Sequence, residues 1–208
     1  KNFSQGHGMN LHFGSLATDI YSGEISATSG PFAAGIGGGA NGGVGEQIYV
    51  YSGKLTATSV SQGAGIGGGQ GGPGRFIYIR GGTVVSSSRS AGAGIGSGDQ
   101  DGLNEREDAH HIEISGGAVL AFSNYAGAGI GGRDGSGCDI SITGGVVQAQ
   151  GYFGAGIGGG MNGDSWNILI KDTTLTALAF PLYPSSDYTE LSASAVGRGS
   201  NRTHYMSA

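Results

Sequence analysis

Charge is scarce in this chain, with ten Lys and Arg and fifteen Asp and Glu in 208 residues and a net charge of −5. The cations are scattered, so there is no basic stripe to follow a phosphate backbone, and nucleic acid is not an expected partner. A single cysteine, Cys138, excludes an internal disulfide framework and a cysteine-rich zinc site. No apolar run approaches the ~20 residues of a bilayer-spanning helix, so no membrane span is expected. Glycine does not recur at every third residue, which excludes collagen. The chain begins at Lys1 without an initiator Met or a signal peptide, which suggests a mature or excised piece of something longer.

What is abundant is glycine, 47 residues of it, set in a chain that is 37% hydrophobic. That content is too apolar and too periodic for a disordered tract. One phrase is written five times: Ala34-Gly35-Ile36-Gly37-Gly38, Ala64 to Gly68, Ala93 to Gly96, Ala128 to Gly132 and Ala155 to Gly159. An internal repeat of roughly 30 residues announces a solenoid.

Each unit has three parts. An alternating apolar strand comes first, as in Ile48-Tyr49-Val50, Ile77-Tyr78-Ile79, Ile112-Glu113-Ile114, Ile140-Ser141-Ile142 and Ile168-Leu169-Ile170, with Ile20 as the matching residue of the first unit. Period two places the Ile and Val side chains on one face. A corner follows, Ser22-Gly23, Ser52-Gly53, Gly81-Gly82, Gly116-Gly117 or Gly144-Gly145. A second strand then turns Ile25, Leu55, Val84, Val119, Val147 or Leu175 inward, with a small residue two positions later. The glycine phrase closes the unit.

Units of this length are too long for hexapeptide solenoids and too poor in helix formers for helical repeats. They predict an all-β fold, a right-handed parallel β-helix of about six coils with 27–35 residues per coil, its core a column of stacked Ile and Val. Residues 1–177 form the repeat domain, and 178–208 read as a degenerate last coil, a cap or a junction to a further module. Within 178–208, Ala193 to Gly199 reads as a sixth copy of the glycine phrase.

The pattern Ile-x-Ile-x-Gly-Gly-x-Val-x-Ala followed by Ala-Gly-Ile-Gly-Gly, best seen at Ile140 to Ala149 and Ala155 to Gly159, resembles the pectin-lyase-like β-helix domains of extracellular and cell-surface proteins. Some of those domains bind carbohydrate. The resemblance implies an extracellular or cell-surface location and covers residues 17 to 177. It leaves function open, because β-helices host enzymes, adhesins and spacers alike. Gly6-His7-Gly8 resembles the Gly-His-Gly of polygalacturonases, but no paired aspartates precede it and no Arg-x-Lys follows.

Alternation points Ala34 and Ile36 inward and leaves Gly35, Gly37, Gly65, Gly67, Gly94, Gly96, Gly129, Gly131, Gly156 and Gly158 as an outward strip of bare backbone. Such a strip would let another surface pack closely; alternatively, these glycines serve tight corners with positive φ. The insertion from Ser97 to His111 reads as a solvated loop or as a Ca²⁺ loop with Asp99, Asp101 and Asn104 as oxygen donors. His110 and His111 are adjacent, so on a regular strand their rings point to opposite faces and share no ion. Arg133-Asp134 reads as an exposed turn pair. Tyr183 and Tyr188 either pack over the open end of the solenoid or stack on sugar rings. Asn2 and Asn201 open two glycosylation sequons.

Acid-base hydrolysis needs two carboxylates facing one groove, and outside the insertion the acids do not recur at one register. The expected function is therefore a non-catalytic structural or adhesive module that packs on other protein modules or on copies of itself through the glycine strip. The alternatives are a carbohydrate-binding module, Ca²⁺-assisted or free of cofactors, and a fragment of a polysaccharide lyase or glycoside hydrolase.

Overall fold

A computed structural model describes residues 6–15, 23–99, 108–180 and 193–200. These residues form a parallel β-helix of six coils, each contributing one strand to each of three six-stranded sheets. Sheet A stacks Gly8–Phe13, Gly45–Val50, Gly74–Ile79, Ala109–Ile114, Gly137–Ile142 and Ser165–Ile170. Sheet B stacks Glu24–Thr28, Lys54–Ser59, Thr83–Ser88, Ala118–Ser123, Val146–Gly151 and Thr174–Ala179. Sheet C is built from two-residue strands, Ile36–Gly37 and its equivalents through Val196–Gly197. The last of these pairs with Ile157–Gly158, so residues 193–200 continue the stack.

In-register pairing turns the repeat into ladders. Ile48, Ile77, Ile112 and Ile140 stack in one column and Val50, Ile79, Ile114 and Ile142 in the next, all fully buried. Sheet B adds Leu55, Val84, Val119 and Val147, and sheet C adds Ile66, Ile95, Ile130 and Ile157. A parallel neighbour presents the same side chain about 4.8 Å away, so identical residues pack without a change of rotamer. Ser86 interrupts the Ala57–Ala121–Ala149 column and remains buried by donating its hydroxyl to the Gly94 carbonyl at 2.6 Å. Ser59, Ser88 and Ser123 form a second buried column, each bonding a carbonyl of the preceding coil. These bonds satisfy backbone groups that a corner would otherwise orphan.

Two readings from sequence are corrected here. The register place given to Ile20 is held by Leu11, which pairs with Ile48, followed by Phe13, which pairs with Val50; Ile20 itself lies outside the described residues. The glycine phrase, in turn, is not an outward strip. Gly65, Gly67, Gly94, Gly96, Gly129, Gly131, Gly156 and Gly158 are buried, and Gly35 and Gly37, in the first coil, are half-buried. A Cβ on Gly35 would lie 2.6 Å from the Thr58 nitrogen of sheet B and 2.7 Å from the Gly65 carbonyl oxygen. Gly37, Gly67, Gly96, Gly131 and Gly158 have φ of 127–137°, which favours glycine. The phrase is a tight corner closed against its own chain.

Candidate functional site

Sheet A carries a distortion that the hydrophobic pattern hides. Asn10, Gln47, Phe76, His111, Asp139 and Asn167 occupy one register column, and all six have a left-handed backbone with φ of 51–56°. The left-handed residue makes a bulge-like bend shared by every coil, with no residue extra to its neighbours, and it turns two consecutive side chains outward before Ile48, Ile77, Ile112 or Ile140 turns in. Gln47 and Phe76 pay for this conformation without the preference for it that Asn, Asp and His have. Stacking imposes it, since a coil without the bulge would lose register with both neighbours.

The bulge gathers chemistry on the outer face of sheet A. His110 and His111 now lie on the same face, with their Nδ1 atoms 2.8 Å apart. This corrects the expectation of opposite faces. Phe76 packs against both rings, and Asp139 Oδ2 lies 3.7 Å from His111 Nδ1. Burial, then His111 and Arg75, hold the His110 imidazole below its ordinary pKa. Cys138, in register with His110, is a buried thiol that burial, then Asp139 and Asp108, push up to about 11.

Toward the first coils the same face is aromatic. His12, Tyr49 and Tyr78 follow one another up a column, with ring centroids 4.6 and 5.0 Å apart and planes within 13 and 14° of parallel. Tyr51 joins them at 6.1 Å from Tyr49, and the Arg80 guanidinium lies 5.9 Å from the Tyr51 and Tyr78 ring centres. The ring faces cover one another, so the ladder presents its hydroxyl-bearing edges and the Arg80 cation. Sequence reasoning missed this site, although Tyr49 and Tyr78 hold the same outward place between ladder isoleucines and valine.

The outer face of sheet B is its opposite. Its outward positions carry Thr, Ser, Gln, Ala, Val, Leu and Phe, and the only charges are Glu24 and Lys54, paired at 2.7 Å. Leu120, Val146 and Leu178 are exposed there. The short Ala118 side chain opens a shallow groove of about 270 Å³ between Thr83, Val85, Leu120 and Val146.

Asp99 is buried, and the Arg133 Nε of the next coil lies 2.8 Å from its Oδ1. Arg133 also contacts Asp134, and both side chains are only 13% exposed, so the expected surface turn pair is an enclosed ion cluster. Burial together accounts for the pairing, since a lone charge there would be costly. Asp101, Asn104, Tyr183, Tyr188, Asn2 and Asn201 lie outside the described residues. His7 Nδ1 accepts the Val44 N–H at 3.1 Å and so serves the backbone. Among the described residues, no group of three or more His, Cys, Asp or Glu side chains is arranged to hold a metal ion, and no helix is long and apolar enough to cross a membrane.

A family model for the beta helix repeat matches residues 19–40, 48–70, 77–99, 112–136 and 140–161, more than half of the chain. No curated protein and no solved structure matches it. The matched segments coincide with the coils whose Ile ladders and glycine corners are described above, and the chain belongs to the beta helix repeat family.

Proposed function

We propose that the chain is a non-catalytic structural or adhesive module of an extracellular or cell-surface protein, packing on other protein modules or on copies of itself. The surface for this is the outer face of sheet B, in place of the buried glycine phrase. The observation that carries the reading is the near absence of charge from that six-stranded face, whose single ion pair neutralises itself. A flat surface of Thr, Val, Leu and Gln loses little by giving up water and offers apolar area to a partner. The carboxylates support the non-catalytic part: Glu24, Glu46 and Asp164 each face a Lys or Arg within 3.0 Å, the geometry of ion pairs and not of an acid-base couple.

Light scattering over a wide concentration range tests this, comparing the native chain with Leu120→Lys and Val146→Lys. Association that both substitutions weaken is the expected result. A native chain that remains monomeric and leaves no partner sensitive to these two positions sinks the proposal, and new reducing or unsaturated ends in a polysaccharide digest would overturn the non-catalytic reading.

A second reading, carbohydrate binding, is favoured by the Tyr49–Tyr78 ladder and Arg80 on sheet A. Tyrosine hydroxyl edges beside a guanidinium offer hydrogen bonds to sugar hydroxyls and acid groups. Oligosaccharide binding that Tyr49→Phe and Tyr78→Phe weaken, with the oligosaccharide left intact, would select it.

A further inference from the structure

The two imidazoles brought together by the sheet A bulge have a geometry that selects among metals. Two nitrogens each about 2.0–2.1 Å from one ion and 2.8 Å from each other subtend roughly 85–90° at that ion. A tetrahedral zinc site at the same bond lengths needs the nitrogens about 3.3 Å apart. Once the hydrogen bond between the rings is given up and both protons sit on Nε2, that separation fits neighbouring corners of a square-planar or tetragonal sphere, the geometry of copper(II) and nickel(II).

We propose that His110 and His111 chelate a divalent transition-metal ion through their Nδ1 atoms, copper(II) in preference to nickel(II), with water at the remaining positions. The surroundings suit a cation. Asp139 Oδ2 stands 3.7 Å from His111 Nδ1, and its Oδ1 accepts a hydrogen bond from Asn167 at 2.5 Å. Arg75, the cation beside His110 in the ladder, is engaged by Glu46 through both Nε and an Nη at 3.0 and 2.9 Å. Both rings are reachable: His111 is exposed and His110 half-buried. The sphere is left open, which makes the site one for an exchangeable ion or for an ion shared with a ligand on a partner. Copper precedes nickel and zinc by the general order of divalent affinities.

The test is calorimetric titration of the whole chain with Cu²⁺ alone in a non-coordinating buffer, comparing native protein with His110→Asn, His111→Asn and, as control, His12→Asn. Asparagine suits position 111, because Asn10 and Asn167 already hold that column's left-handed backbone. Loss of either imidazole reduces a chelate to a single contact, so each variant at 110 or 111 is expected to bind roughly 100-fold more weakly, while His12→Asn binds as native. Thermal melts without metal report whether each variant folds. Electron paramagnetic resonance of the native complex gives an independent readout, with two equatorial nitrogens expected. Equal Cu²⁺ affinity in native protein and either folded variant, or a single coordinated nitrogen, would mean that the rings are only hydrogen-bonded to each other and would overturn the proposal. Zn²⁺ binding as tight as Cu²⁺ would overturn the planar geometry.

Discussion

Replacing Gly131 with alanine tests the reading of the glycine phrase as an internal corner. Gly131 lies in the fourth coil with φ of 133°, buried, and a Cβ there would strike the carbonyl oxygen of Gly158 in the next coil. Two costs combine. A non-glycine residue held in so sparsely populated a backbone region costs of order 1–3 kcal/mol. Forcing a methyl group into filled space costs typically 1–3 kcal/mol more. The expected loss is therefore about 2–6 kcal/mol, out of the ~5–15 kcal/mol that folded domains of ordinary size possess. In a solenoid the damage falls on the interface between neighbouring coils, so the fourth and fifth coils should part first. Urea unfolding followed by far-UV circular dichroism reads the loss as a lower midpoint, and hydrogen exchange locates it at the amides of Ile130 and Gly132, which donate to Gly156 and Gly158. An unchanged midpoint, with an altered state of association, would refute the argument and restore these glycines to an outer contact surface.

Ile112→Ala removes a fully buried rung from the middle of the sheet A ladder and should cost about 2–5 kcal/mol, read as a shift in the same urea midpoint; a loss below ~1 kcal/mol would show that the column is loosely packed. Cys138, buried with its pKa pushed up to about 11, should resist a thiol reagent at pH 8 until urea unfolds the chain, and rapid labelling of native protein would contradict its placement. The depressed pKa of His110 favours the folded state above the ordinary histidine value near ~6.5, and that contribution is lost as the pH falls through the folded value. Native protein should thus lose more stability than His110→Asn between about pH 7 and pH 5; matching slopes would remove His110 as the cause. Asp108, Asp139, Arg75 and His111 surround that ring in both proteins, so the comparison isolates the imidazole.

What the sequence determined by itself was the coil. Period-two isoleucines, glycine corners and a phrase repeated at near-constant spacing leave only a stacked β-solenoid, because each unit has one apolar face and no way to bury it alone. The inward columns from Ile48 to Ile142 follow residue by residue from that pattern. Tertiary structure decided the faces. Alternation assumes an extended strand, and it fails at both special columns: at Gly37 and its equivalents, where φ is near 130°, and at Gln47, Phe76 and His111, where it is near 55°. Nothing intrinsic to Gln or Phe signals a left-handed backbone; pairing with coils that carry Asn10, Asp139 and Asn167 at the same rung imposes it. The same pairing brings Arg133 onto Asp99 from the next coil, and the left-handed backbone it imposes at position 111 sets His110 against His111. Local pattern states which residues want to be inside, whereas register between coils states which of the others meet.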